Sequence, residues 1–189
     1  MITGALGDDM NTEAFLSLDR AELRTMLERG HPIDPHALDD SEYRGVSLGL
    51  PAPMVKLSWL TFRKTFHRDK ATGALRGWNV RMQQTGLDGP REPMRDARGT
   101  PRCFGFYEVR DGREYDMPVA ARHGLVIDYG LGKNPALDPV RRGRDPLVAL
   151  EAGSVTRLLG WTYLDLGITR VGTPSYFLLE REGPLSYVP

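Results

Sequence analysis

The sequence predicts a mainly β protein: an antiparallel sheet of about eight strands closed into a barrel, with an N-terminal helix and a short helix after the "IDY" strand. Three observations predict it. From residue 42 onward, short segments rich in β-branched and aromatic residues are separated by glycine, proline and charge clusters. Several of these segments alternate with period two, as a strand with two unlike faces does. Only "NPALDPVRRG" offers even a short helical crossover, and parallel strands would need one at every step.

Residues 12 to about 30, "NTEAFLSLDRAELRTMLERG", carry Leu16, Leu23, Met26 and Leu27 at three- and four-residue spacings and predict the helix. Asp19 with Glu22 reads as a capping pair, and Gly30 as the terminator before His31-Pro32. "HPIDPHALDD" is a connector. The strands are expected at 42 to 50, 60 to 68, 76 to 84, 103 to 110, 123 to 130, 146 to 150, 155 to 167 and 174 to 182. Alternation places Thr61, Arg63 and Thr65 on one side and Phe62, Lys64 and Phe66 on the other; Trp78, Val80 and Met82 oppose Asn79 and Arg81. The separators are turn chemistry: "DKATG", two "DG" pairs and "GITRVGTP". Residues 85 to 102 are polar enough for a mobile loop at the barrel mouth.

At 189 residues the chain suits a single core. We divide it into residues 1–40, helix and connector, and 41–189, the barrel domain. Twenty-five basic and 25 acidic side chains cancel, so no overall field recruits nucleic acid. The single cysteine, Cys103, excludes a disulfide scaffold and a Cys/His zinc framework. The acidic start "MITGALGDD" does not read as a signal peptide, and no window approaches the roughly 20 apolar residues of a membrane span. A cytoplasmic protein with no membrane span is expected, its oligomeric state open.

The stretch "HGLVIDYGLGKNPALDPVRRGRDPLVAL" (123 to 150) carries the most chemistry-like residues. Its glycine-lysine turn fails as a phosphate loop: Ile127 stands where the first glycine belongs, and Asn134 follows Lys133 in place of Ser or Thr. A dinucleotide fingerprint fails at Pro135. The turn reads instead as a strand exit, with Asn134 capping a short helix, Pro135 at its first position, and Arg141, Arg142 and Arg144 at its solvated end. The four histidines lack a metal-binding spacing, so no metal is expected. No G-x-S-x-G elbow is present, and Cys103 precedes an aromatic run as a small apolar residue would.

An eight-stranded interior is either filled by side chains or just wide enough for one small ligand. Trp59, Trp78, Tyr107, Trp161, Tyr163 and Tyr176, with Arg81, are the candidate ligand-binding wall, and His123, Asp128 and Tyr129 the candidate catalytic group.

The run "GLVIDYGLGKNPALDPVRRGRDPLVAL", followed by "VTRLLGWTYLDLG" and "SYFLLERE", resembles poorly characterised bacterial calycin-like β-barrels, with "EYRG" and "WLTFRKTF" resembling their opening strands. The similarity covers roughly residues 40 to 182. It implies a lipocalin-like barrel and brings no catalytic motif. "RGVSLG" also lacks the tryptophan that many calycins carry near the first strand. The expected function is binding of a small hydrophobic, lipid-like or polycyclic molecule in the lumen, without a cofactor. The alternative is a cofactor-independent isomerase or cyclase, with His123 or Asp128 moving a proton while Tyr129 and Arg81 stabilise negative charge. Similarity to the nitrobindins adds a haem variant with His123 as axial ligand.

Overall fold

A computed structural model describes residues 10–49 and 60–189. Eight antiparallel strands follow one another around a closed barrel: β1 (Ser41–Leu48), β2 (Thr61–Arg68), β3 (Leu75–Arg81), β4 (Cys103–Asp111), β5 (Leu125–Asp128), β6 (Gly143–Ala149), β7 (Arg157–Asp165) and β8 (Arg170–Pro184). Each strand pairs with the next, and β8 returns to β1, with Val46 opposite Leu178. Closure pairs every strand of the barrel on both sides over part of its length.

Two short helices stand where one was expected. The first, α1 (Thr12–Ser17), is capped by Asn11; the second, α2 (Arg20–Arg29), begins at Asp19. The capping pair causes the break. Asp19 turns extended so that its carboxylate accepts from the amides of Ala21 (2.8 Å) and Glu22 (2.9 Å), while Glu22 accepts from the Asp19 amide (2.8 Å). Phe15, Leu23, Met26 and Leu27 then bury against the outside of the barrel, on Val46, Leu48, Val148, Leu159, Trp161, Tyr176 and Leu178. Gly30 follows α2 because the chain runs tight against β6: a Cβ there would lie 2.3 Å from a Val148 methyl. His31 then bridges to Ala149 through two backbone hydrogen bonds (2.8 and 3.0 Å).

The interior cluster contains Tyr43, Phe66, Leu75, Tyr107, Val109, Leu125, Ile127, Tyr129, Leu147, Leu158, Phe177 and Leu179. Ile33 and Leu38 of the connector join it at the end of the barrel where β1 begins, hereafter the proximal end. Three strand glycines admit the bulk of the rings. A Cβ on Gly45 would meet the Phe62 ring at 2.3 Å, one on Gly160 the Phe177 ring at 2.1 Å, and one on Gly77 the Tyr107 ring at 2.4 Å. A bulge at Gly105, whose φ is +53°, shifts the β3–β4 register, so that Phe104 stands opposite Asn79 and Tyr107 opposite Gly77.

The exit from β5 differs from the expected capped helix. Asn134 does not cap. Its side chain accepts from the Phe106 amide (2.9 Å) and donates to the carbonyls of Phe106 (2.6 Å) and Tyr129 (2.8 Å), tying the loop to β4. The short 3₁₀ turn comes later, at Pro139–Arg142, capped by Asp138. Of the basic cluster only Arg142 is exposed as expected; Arg141 donates to the carbonyls of Asn134 and Gly130, and Arg144 pairs with Asp128 at 3.1 Å. A Cβ on Gly132 would sit 1.8 Å from the Phe106 carbonyl oxygen, so this glycine is required by close packing on β4. The polar 85 to 102 segment folds back through bridges between Met82 and Pro93 and between Arg95 and Pro101.

Two substitutions grade these constraints. Asp19→Ala removes one helix cap and should cost about 1 kcal/mol in denaturant unfolding. Gly77→Ala places a methyl 2.0 Å from the Thr65 carbonyl as well as on the Tyr107 ring, and should cost about 1–3 kcal/mol or more. A loss well below about 1 kcal/mol for Gly77→Ala would contradict the packing described.

Candidate functional site

The most unusual group in the interior is a lysine. Phe62, Lys64 and Phe66 share the inner face of β2, and the Lys64 side chain is only 2 % exposed. Its Nζ donates to Tyr129 Oη (2.6 Å), Asn79 Oδ1 (3.1 Å) and Asp145 Oδ2 (3.3 Å). Tyr129 Oη donates to the same Asp145 oxygen (3.0 Å), and Thr162 Oγ1 donates to the other (2.8 Å). Asn79 is in turn anchored by donating to the Gly105 carbonyl (3.2 Å). Five strands thus meet at one amine: β2, β3, β6 and β7 supply Lys64, Asn79, Asp145 and Thr162, and Tyr129 follows the last residue of β5.

Rings enclose this polar centre. Nζ lies 5.0 Å from the centroids of Tyr107 and Phe177, 5.1 Å from Tyr129 and 5.8 Å from Phe62. Tyr107 and Tyr129 meet edge to face at 5.5 Å, and Tyr107 is pinned by donating to the Thr65 carbonyl (2.7 Å). Burial pulls the Lys64 amine below its ordinary value, against the opposing pull of the Asp145 carboxylate. Burial, reinforced by the negative charge of Asp145, pushes the Tyr129 hydroxyl well above its ordinary value, so it remains a neutral donor. The arrangement therefore holds an amine, a carboxylate and a phenol within hydrogen-bonding distance of one another, away from water.

The expected catalytic group separates. Tyr129 faces inward to Lys64. Asp128, the preceding residue, faces outward, where it accepts from Tyr115 Oη (2.7 Å) and the Gly130 amide (2.7 Å) and pairs with Arg144. His123 is exposed at the proximal rim, on a cleft of about 730 Å³. The cleft has an apolar floor of Ile33, Leu75, Val109 and Leu125 and charged walls that include Arg68, Arg110 and Arg113. An exposed histidine among these side chains does not supply the apolar slot that a haem needs. Among the described residues no cluster of His, Cys, Asp and Glu has metal-binding geometry.

The expected ligand-binding wall is also redistributed. Tyr107 lines the interior as proposed from the sequence. Trp161 and Tyr176 stack on the outside of the barrel with centroids 6.0 Å apart, Tyr163 joins their cluster, and α2 packs over it. Trp78 lies in a separate outer cluster with Val80, Met82 and Cys103. These four aromatics are removed from the luminal wall because each sits on the outward parity of its strand. Arg81, at the end of β3, lies over the Phe104 ring at 5.4 Å. Trp59 lies outside the described residues. Burial pushes the Cys103 thiol up to about 11, which leaves almost no thiolate at neutral pH.

Lys64 and Asp145 were the residues missed. The available signal was a lysine between two phenylalanines on one face of a strand, in a chain where only four of the 25 basic residues are lysine. Asp145 was hidden by Pro146, which made β6 read as starting at residue 146, three residues after its true start at Gly143, although Pro146 sits within the strand opposite Val126.

No protein-family model, curated protein or solved structure matches the chain. The fold is a closed eight-stranded antiparallel barrel. Among the described residues no helix is long and apolar enough to cross a membrane.

The buried pair makes a direct energetic prediction. Asp145→Ala leaves an unpaired amine in the interior and should cost about 3–5 kcal/mol in urea unfolding, whereas Lys64→Met combined with Asp145→Leu should recover most of that loss. A cost below about 1 kcal/mol for Asp145→Ala is the behaviour of a solvated pair and would contradict this burial.

Proposed function

We propose that the protein binds a small hydrophobic molecule inside its barrel and anchors one polar group of that molecule on the Lys64–Tyr129–Asp145 centre. The observation that supports the reading is the buried lysine. Burying a charged pair costs several kcal/mol per ion before its attraction is counted, and apolar side chains of the same volume are commonly as stable or more so. A fold that needed only a filled interior gains little from Lys64. An amine with a perturbed pKa in a ring-lined interior is a functional-site candidate on physical grounds. Phe62 and Phe177, in edge contact at 6.0 Å, form the layer between Lys64 and the distal end, and a ligand at the amine displaces these rings. The calycin-like resemblance points in the same direction.

The second reading is the cofactor-independent isomerase or cyclase, with its residues reassigned. A lowered amine pKa leaves Lys64 more readily unprotonated than an ordinary lysine at neutral pH, the form a general base needs. Tyr129 would donate to developing negative charge, and Asp145 would hold the proton in transit. His123 and Asp128 have no part in this version.

Native mass spectrometry and an absorbance spectrum of freshly purified protein test the first reading directly. A retained small molecule is expected, without the Soret band that a haem would give. In titrations with a dansyl-labelled fatty acid, Lys64→Met should weaken binding about tenfold, the loss of one charge-assisted hydrogen bond. Trp161→Phe, on the outer face of the barrel beneath α2, should leave it unchanged. Equal affinities for the wild type and Lys64→Met would overturn the placement of the ligand.

A further inference from the structure

We propose that Lys64 captures an aldehyde carried by a hydrophobic molecule, forming an imine within the barrel. This rests on the reading that the interior takes such a molecule, and it names the reactive group that the ligand carries.

The inference follows from the set of atoms around Nζ. A primary amine becomes a nucleophile when it loses its proton to a nearby base and is kept from bulk water. Lys64 Nζ has Asp145 Oδ2 at 3.3 Å as that base, and Tyr129 Oη at 2.6 Å in contact with both. Asp145 is fixed by Thr162 at its other oxygen, so it is held in place to take up and return a proton. Burial, which pulls the amine's pKa down, favours the same direction of transfer.

The step balances without any further reagent. The Lys64 ammonium passes one proton to Asp145, and the freed lone pair attacks the carbonyl carbon. A C–N bond forms, and the carbonyl oxygen takes a proton from Tyr129, which regains it from Asp145. The nitrogen of the adduct gives its extra proton back to Asp145. The hydroxyl then leaves as water with that proton, as the C=N bond forms. One ammonium and one aldehyde become one protonated imine and one water, and Asp145 ends as it began, a carboxylate.

The surroundings also suit the product. A protonated imine carries the positive charge of the original ammonium, spread over carbon and nitrogen. It would remain beside Asp145 and within about 5 Å of the Tyr107, Tyr129 and Phe177 rings, whose faces attract cations. The exclusion of water that lowers the amine pKa also protects the imine from hydrolysis.

The experiment uses the full-length protein with 2-naphthaldehyde and sodium cyanoborohydride, read by intact mass and peptide mapping. The chain has four lysines, at 56, 64, 70 and 133, so the label distribution is direct to read. The expected result is a saturable, one-to-one reduced adduct on Lys64, absent from Lys64→Met and formed at least about tenfold more slowly in Tyr129→Phe. On the wild type alone, excess 2-naphthalenemethanol should suppress labelling of Lys64 and leave that of Lys70 unchanged, which keeps the test decisive if a variant does not fold. Labelling of Lys70 and Lys133 with Lys64 untouched overturns the proposal. If the alcohol binds in a Lys64-dependent way and no Lys64 adduct forms, imine formation fails while luminal binding stands. If neither compound binds, both fail.

Discussion

Closure of β8 onto β1 is the constraint on which the rest of the structure depends. In an open sheet an inward-facing aromatic can be offset by a shift at the edge. In a closed barrel of eight strands the interior has a fixed width, and each inward residue competes with those opposite for the same space. Glycine resolves that competition here. Gly45, Gly77 and Gly160 stand where a methyl group would collide with Phe62, Tyr107 or Phe177. The high glycine content has a second role beyond turns: it removes side chains from three strands so that rings from other strands can occupy the axis.

The fixed width also makes the interior asymmetric. Toward the proximal end, Tyr43, Phe66, Leu75, Leu125, Leu147, Leu158 and Leu179 close the core with Ile33 and Leu38 from the connector. Lys64 lies beyond this apolar layer, with Asp145 near the start of β6 and Asn79 near the end of β3. A charged pair held among apolar residues is uniquely oriented, because either group displaced by one turn or register position would lie buried without a partner. The network of Thr162, Asp145, Tyr129, Lys64 and Asn79 therefore pins the relative register of strands that are distant in sequence.

How much of this was legible in the sequence depends on the scale. The strand series and the alternation within it were readable, and the parities of Phe62, Lys64 and Phe66 and of Trp78 and Val80 agree with the structure. What alternation does not state is which parity faces in. Both faces of β7 are apolar, since helix α2 covers its outer side and the core its inner side, so Trp161 and Tyr163 looked equally suited to either. The helix pair on the outside, legible as an amphipathic segment, was the clue to a second apolar layer that would claim some of the aromatics. Asn134 was misplaced for a different reason: an Asn-Pro pair is a sound helix-cap signal locally, but here the amide satisfies three backbone groups across two strands. A tertiary demand outweighed the local one.

Placing the candidate site at Lys64 rather than at His123 and Asp128 changes the proposed chemistry as well as the address. Asp128 has its carboxylate committed to Arg144, Tyr115 and a turn amide, so it is an anchor for the β5 exit. Its neighbour Tyr129 reaches the opposite face because successive strand residues do, and there it meets a pair that is neutral overall wherever its proton resides. A net-neutral pair exerts no long-range field on an approaching apolar molecule, yet it presents both a donor and an acceptor at short range. In the proposed reading, that combination would admit a hydrophobic body and discriminate on the single polar group it carries. The two proposed readings, binding and proton transfer, would then be two uses of one set of atoms, separated only by whether the bound group can accept the amine's electrons.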